Sequence, residues 1–275
     1  ARHRSFVKAA EEMYVSPAAV SRHVKNLEAN PALTLFDRKA QGIVLTEVGR
    51  QLLPELTGAF QRISAAAVRA RTTSNELRVL VGPTFGVRWL IPRLPQFQEL
   101  HPTIRINTGL CIESDVHTFE GAYDVGIIEG WWIDCVAPPT SDRRILRYER
   151  LAPVCSPAMA KRSPRLRKPS DLRGRPLLHV IDTQDWDAWL GAVGETGVPV
   201  SQDNVFHTGD AAARAAMAGK GVAIVDLDLY KYEIDSGQLV APFEFVLDNA
   251  SPSIFFCSRA RLAEPTIAAF HDWLV

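Results

Sequence analysis

The chain has 275 residues, 47% hydrophobic and 23% charged, which excludes disorder, collagen and small disulfide scaffolds and leaves room for about two domains with cores of their own. Its 31 Lys and Arg offset 31 Asp and Glu, so the overall charge by itself predicts no nucleic-acid partner. The distribution differs: residues 1–73 hold eleven basic against six acidic side chains (+5), and residues 74–275 hold twenty against twenty-five (−5), so head and body are expected to meet different partners.

Ala1 to Arg4 read as the end of a helix already under way, an expectation that the true start precedes Ala1. Ser5 to Asn30 is helical twice over, with a break at Met13 to Val15. Phe6, Ala9 and Ala10 recur at helix spacing behind a potential Ser5 cap. Ser16 followed by Pro17 starts the second helix, because Ser accepts from an orphan amide and Pro at the first helical position forfeits no hydrogen bond. Val20, Val24 and Leu27 form a stripe expected to be buried, leaving Ala18, Ser21, Arg22 and Lys25 outward. Residues 33 to 45 read as two short strands about a turn at Gln41 and Gly42, with Arg38 and Lys39 on the approach. Helix, tight turn, helix and β-hairpin make the winged helix-turn-helix pattern, which lays its second helix in the major groove and its wing on the backbone. The outward face reads as either a solvated surface or a contact surface. The capped helices, the basic wing and the excess positive charge favour contact, with Arg and Lys serving phosphates or guanine edges and Ser21 a phosphate or base.

Thr46 caps a predicted helix to about Arg71, with Val48, Leu52, Leu56, Phe60, Ile63 and Ala67 on one stripe. A long helix with a single apolar stripe usually pairs with a second copy of itself. Pro54 inside it predicts a kink rather than a break. Thr72 to Asn75 read as a linker. Beyond it, 77 to 82, 104 to 110, 124 to 130 and 221 to 227 are apolar, β-branched strands, and 92 to 100 and 209 to 219 are helical. The alternation predicts two α/β lobes built on a mostly parallel sheet. No run approaches the roughly 18 apolar residues of a membrane span, and no signal-peptide order is visible, so the expectation is a cytoplasmic protein with no membrane partner. Cys111, Cys135, Cys155 and Cys257 are scattered without ligand spacing and read as free buried thiols, with no metal and no cofactor.

The segment from Ser5 to Leu53 resembles the DNA-binding part of LysR-type transcriptional regulators. The matching pieces are F-x-x-A-A at Phe6 to Ala10, A-V-S at Ala19 to Ser21, Leu27 with Glu28, L-F-x-R at Leu35 to Arg38, and L-T-x-x-G at Leu45 to Gly49. WLIPRLPQF (89 to 97), PVCSP (153 to 157), AAMAGKGVAIV (215 to 225) and GQLVAPF (237 to 243) extend the likeness along the chain, towards the subgroup of glycine-cleavage and β-lactamase regulators. Two departures stand out. Pro17 replaces the Gln that family members often use to reach a base edge, and Pro31 with Ala32 replaces an apolar residue and Gly.

The resemblance implies a winged helix-turn-helix over 1–45, a linker and dimerisation helix over 46–76, and an effector-binding region over 77–275. Its lobes, like those of a type 2 periplasmic binding protein, would span about 77–151 with 253–275 and about 152–252. The chain is expected to cross near Ala152 to Cys155 and return near Pro252 to Ile254. It further implies an interrupted palindromic operator in double-stranded DNA, a homodimer or dimer of dimers, and a small effector in the cleft; RNA polymerase stays open as a further partner. Ser16, Pro17, Ala18, Ser21, Arg22, Lys25, Arg38 and Lys39 would meet DNA.

In open α/β sheets ligands sit beyond the carboxyl ends of strands. That rule selects Thr84, Phe85, Glu129, Trp131, His207, Thr208 and Asp226 for the effector. The Thr84 hydroxyl and the Phe85 amide can donate to an anion at a helix start, though Thr84 equally suits a plain N-cap. Glu129 and Asp226, if both face the cleft, would repel a carboxylate and favour an amine or amino-acid-like effector; otherwise they are solvated or paired with Arg88 or Arg143. Trp131 and Trp132 stack on a ligand ring or fill a lobe edge. His207 and Asp210 read as an acid/base pair or as a helix-start capping pair. Asp185 and Asp187 flank Trp186 in an apparently exposed segment. Nucleophile elbow, Walker loop, zinc-protease and dinucleotide motifs are all missing, so no enzyme is expected. The runner-up is a cytosolic solute-binding module whose N-terminal region only dimerises.

Overall fold

The computed structural model describes residues 3, 5–29, 34–39, 42–69, 75–112, 119, 121–201 and 203–275, with backbone alone at 38, 39, 61, 62, 64–69 and 249. The expectations for Ala1, Arg2 and Arg4, Pro31 and Ala32, Gln41 and Arg71 to Ser74 therefore lie outside the described residues. Two compact units are present, Ala1–Val68 and Arg69–Val275.

In the first unit, serines set both helix starts. Ser5 accepts from the Lys8 amide at 3.4 Å ahead of α1 (Phe6–Glu12). Ser16 accepts from the Ala19 amide at 3.2 Å ahead of α2 (Pro17–Leu27), with Pro17 in the first turn. Strands β1 (Phe36–Lys39) and β2 (Gly42–Leu45) pair antiparallel as the wing, and Phe6 meets Phe36 edge-on at 5.8 Å. The expected α2 stripe needs correction. Val20 and Val24 are half-buried, but Leu27 is 56% exposed. The next residue is the one drawn inward: the Glu28 carboxylate accepts the Leu35 and Phe36 amides at 2.8 and 3.0 Å, tethering α2 to the wing, and Leu35 takes the buried place.

Thr46 starts α3 (Glu47–Arg69), accepting from the Gly49 amide at 3.0 Å while donating to the Thr34 carbonyl at 2.6 Å. The helix continues through Pro54. Leu52 and Leu56 are half-buried, while Phe60 and Ile63 are 68% and 65% exposed.

The second unit is built on one eight-stranded sheet, in the order β4 (Arg105–Leu110), β3 (Glu76–Val81), β5 (Val125–Glu129), β10 (Leu247–Ser258), β6 (Ser141–Val154), β9 (Val222–Asp226), β7 (Leu177–Val180) and β8 (Val205–Phe206). The pairings are parallel in the two wings and antiparallel from β5 through β10 and β6 to β9. The sheet is thus mixed rather than mostly parallel, because two long strands run out and back between the halves. The β6 residues up to Tyr148 pair with β10 from Pro252 onward, and Leu151 pairs both with Leu247 of β10 and with Asp226 of β9.

Strand alternation divides the core by face. Leu77, Val79, Val81, Ile127 and Phe255 pack with Phe97, Ile267 and Phe270 on one side, whereas Leu80, Ile128 and Phe256 pack with Trp132 and Val136 on the other. The second half repeats the arrangement, with Val222 and Ile224 against Trp186 and Trp189, and Ala223 and Val225 against Ala212 and Ala216. Helix formation after β3 begins at α4 (Pro83–Phe85), passes a π-type turn (Gly86–Leu90) and continues as α5 (Ile91–Leu100), earlier than the expected 92. Beyond β5 and a 3₁₀ turn (Gly130–Trp132) lies α6 (Ile133–Val136). The second half holds α7 (Pro157–Lys161), α8 (Gln184–Ala192), α9 (Gly209–Met217) and α10 (Lys231–Asp235), and α11 (Pro265–Leu274) closes the first.

Candidate functional site

Two surfaces carry chemistry. On α2, Ser16, Pro17, Ala18, Arg22 and Lys25 are exposed and Ser21 is half-buried. Among the described residues neither Arg22 nor Lys25 is held in an ion pair, so both cations are available to a partner. Arg38 and Lys39 lie on β1, opposite Ile43 and Gly42.

The second surface is a cavity of about 270 Å³ between the two halves of the large sheet. Its wall combines the ends of β3 and β5 (Pro83, Thr84, Glu129, Trp131) with the ends of β7, β8 and β9 (Ile181, His207, Thr208, Asp226). Glu149 and Leu151 of β6 and Asp185 of α8 complete it. Strand ends converge here because parallel strands in both wings point their carboxyl ends at the crossover.

Two glycines permit close approach at the cavity, Gly82 within the first half of the sheet and Gly209 between the halves. A Cβ on Gly82 would lie 2.6 and 2.7 Å from the Glu129 carboxylate oxygens, and one on Gly209 would lie 3.0 Å from the Thr84 hydroxyl. Arg88, on the helix following β3, spans the halves: its Nε donates to Asp210, and its Nη1 donates to Glu233 at 2.9 Å. Its guanidinium lies 3.8 Å from the centroid of the Tyr230 ring.

The electrostatics are lopsided. Burial and the neighbouring Glu129, Asp226 and Asp185 push the Glu149 carboxyl from 4.5 to about 9, against a smaller opposing pull from Arg147. Burial, with Asp182 nearby, raises Asp185 to about 6. Burial also raises Glu129, and Asp185 adds to it. Arg147 donates to Asp226 through both terminal nitrogens, and the Arg150 amide adds a bond at 3.3 Å.

Residues 70–275 match the family description "LysR substrate binding domain", and residues 1–50 match "Bacterial regulatory helix-turn-helix protein, lysR family". The glycine cleavage system transcriptional activator of Escherichia coli K12 is 32% identical over 279 residues, covering all of this chain and 89% of that protein. The transcriptional activator AmpR of Pseudomonas aeruginosa is 32% identical over 281 residues, covering all of this chain and 91% of that one. The chain belongs to the LysR family. Among solved structures, the AmpR effector binding domain from Citrobacter freundii superposes with a TM-score of 0.62 at 26% identity, over 73% of this chain and 96% of that one. CrgA of Neisseria meningitidis, at 21% identity and a TM-score of 0.61 over 98% of this chain and 92% of that one, shares the fold.

This LysR-type protein is a helix-turn-helix transcription regulator with an effector-binding region, and not an enzyme; the solute-binding module with a merely dimerising head is set aside. Of the residues expected at the effector site, Thr84, Glu129, Trp131, His207, Thr208 and Asp226 line one cavity. Phe85 does not: its ring is buried in the core and stacks on Trp89 at 5.0 Å. Thr84 is not the N-cap either, since Gly82 holds that place. Glu129 is paired with neither Arg88 nor Arg143, because Arg88 is taken by Asp210 and Glu233, and Arg143 donates to Asp134 at 2.6 Å. The expected His207–Asp210 capping pair gives way to Thr208, whose hydroxyl accepts from the Ala211 amide at 3.2 Å. Trp131 stacks face to face on the buried Trp132 at 5.3 Å and stays 49% exposed.

The segment around Trp186 is not exposed as a whole: Trp186 is buried, and Asp185 sits in the cavity wall. Sequence reasoning missed Glu149, Asp182, Asp185 and Tyr230. The signal for Asp182 and Asp185 was the short run LLHV, whose recognition as β7 would have exposed the turn after it. Nothing in the sequence marks Glu149, which lies in mid-strand. None of the four cysteines is in a disulfide, and Cys135 is exposed rather than buried. No described helix is long and apolar enough to cross a membrane.

Proposed function

We propose that this LysR-type regulator reads an interrupted palindromic operator as a homodimer or dimer of dimers in the cytoplasm, and that a small effector in the cavity alters that reading. Ser16, Pro17, Ala18, Ser21, Arg22 and Lys25 of α2 enter the major groove, and Arg38 and Lys39 on the wing meet the backbone. Proline at the second of these positions contributes shape rather than a base-edge hydrogen bond. The carrying observation is the open, basic face of α2, whose Arg22 and Lys25 find no carboxylate partner among the described residues. The stripe on α3, with Phe60 and Ile63 exposed, supports pairing between copies and so a fixed spacing between half-sites. Residues 46–76 then connect reader and sensor, and RNA polymerase is a further partner of the DNA-bound form.

Effector contact is assigned to Thr84, Glu129, Trp131, His207 and Thr208, joined by Glu149 and Asp185. Because the wall draws on both halves of the sheet, a ligand that fits only one spacing of the halves shifts the population towards it. The test is fluorescence anisotropy of a promoter fragment against random DNA across a salt series. Promoter preference with a steep fall at rising salt is expected, as several phosphates are neutralised; equal binding to both DNAs would overturn sequence reading. Thr84→Val should blunt the effector response with DNA binding intact, and an unchanged dose response would remove Thr84 from the site.

A further inference from the structure

Taking the cavity as the effector site, as proposed above, we infer that its ligand is a small organic dication of the diamine class: an apolar linker carrying two protonated amines. The described wall carries five carboxylates, Glu129, Glu149, Asp182, Asp185 and Asp226, and no Lys or Arg. Two of the five are already satisfied. Asp226 is neutralised by Arg147, and Asp182 accepts the Gln184 amide and side chain at 2.9 and 2.8 Å. Glu129, Glu149 and Asp185 remain, supplied by three different elements, with no hydrogen bond from a basic side chain.

The basic groups nearest the cavity are committed elsewhere. Arg88 cannot turn to a ligand without leaving Asp210 and Glu233 unpaired, and Arg147 holds both Asp226 and Asp228. Beside the helix start at Pro83 the protein's own Glu129 carboxylate packs against Gly82, so an anion approaching the amides there would meet a carboxylate. An anion entering here would find no Lys or Arg in the wall and would face the ionised members of the cluster, and a neutral ligand would leave those members unpaired in a poorly solvated space. One cation would leave most of the charge standing, whereas two charges on one chain can reach carboxylates of both sheet halves. Between them Leu151, Val180, Ile224 and Leu247 supply apolar wall, and the half-exposed Trp131 offers a ring face to an ammonium group. About 270 Å³ suits a short ligand, being at the small end for binding pockets.

Proton release accompanies binding. Glu149 is faced by Glu129 from β5, Asp226 from β9, Asp185 from α8 and Arg147 from its own strand; Glu129 is faced by Asp185 and Cys111, and Asp185 by Asp182. With Glu149 near 9 the cluster retains a proton at neutral pH, and Asp185, near 6, holds a further one only below that; a dication displaces them. Amines stay charged to about pH 10, so affinity rises from pH 6 to 9.

The experiment uses the full chain and titration calorimetry with 1,4-diaminobutane, butylamine, butane-1,4-diol and succinate at fixed ionic strength, in buffers of differing ionisation heat. The diamine should bind at least tenfold more tightly than butylamine, with protons released and affinity rising with pH; succinate and the diol should not bind. Glu129→Gln and Asp185→Asn should each weaken the diamine at least tenfold while operator binding persists, which also reports that the variants fold. Succinate or the diol binding as well as the diamine, or diamine binding indifferent to both substitutions, overturns the inference. Ala188→Trp, which fills the cavity, separates the two levels. If a neutral or anionic compound binds the unsubstituted chain but not this variant, the cavity remains the effector site and the cationic class is wrong. If no compound of any charge depends on Ala188, the cavity reading fails as well.

Discussion

Glu149 keeps its proton in the folded chain to about pH 9, whereas an ordinary glutamate loses it near 4.5. The unfolded state therefore binds fewer protons than the native state across that window, and stability falls as pH rises from about 4.5 to about 9. Glu149→Gln, which mimics the protonated form, should flatten this slope in denaturant titrations at successive pH values; a slope as steep as before would mean that other groups set it. Arg22, in the first unit, is exposed and has no ion-pair partner among the described residues. Arg22→Ala is expected to weaken operator binding by about 1–3 kcal/mol, read by anisotropy at constant salt, and unchanged affinity would place it outside the interface. These two residues differ in how visible they are beforehand. Arg22 follows from helix spacing after a Ser-Pro start. Glu149 lies in the middle of a strand, and its neighbours come from β5, β9 and α8, so no local pattern reveals it.

At the scale of elements, α3 carries its stripe through Pro54 and leaves Phe60 and Ile63 uncovered. Replacing both by Glu should move the protein towards monomer in sedimentation velocity, because burying charge in an apolar seam is costly; an unchanged sedimentation coefficient would put the dimer contact elsewhere. The strand ends that build the cavity are readable where an apolar run precedes them or a helix start follows, as at His207 and Thr208 ahead of α9. β3, β5 and β9 each show a run of apolar residues bounded by Gly, Pro or Asp, and Thr84, Glu129 and Asp226 follow from them. The four residues of β7 are too short to separate from a buried turn by pattern alone, and with β7 went Asp182 and Asp185. At Phe85 a helix start selects the position for its backbone amide, while the side chain turns into the core beside Trp89.

For the molecule as a whole, Arg88 links the two halves of the sheet through Asp210 and Glu233. Removing one member of a mostly buried ion-pair set leaves its partners unpaired, at a cost of about 3–5 kcal/mol. Arg88→Ala should lower the denaturant midpoint by a corresponding amount and shift the effector concentration needed for half response; a variant of unaltered stability would show that the link carries nothing. What the sequence determined by itself is local: capped helices, a wing, a long striped helix, strands with their ends, and motifs in the order of the LysR family. Each rests on spacing of 2 or 3.6 residues or on cap chemistry within a few positions. Only the tertiary structure decided the mixed pairing of the sheet, the neutralisation of Asp226 by Arg147 and the meeting of Glu129, Glu149 and Asp185. Those depend on strand register and on contacts tens of residues apart, where charge and burial act through space rather than along the chain.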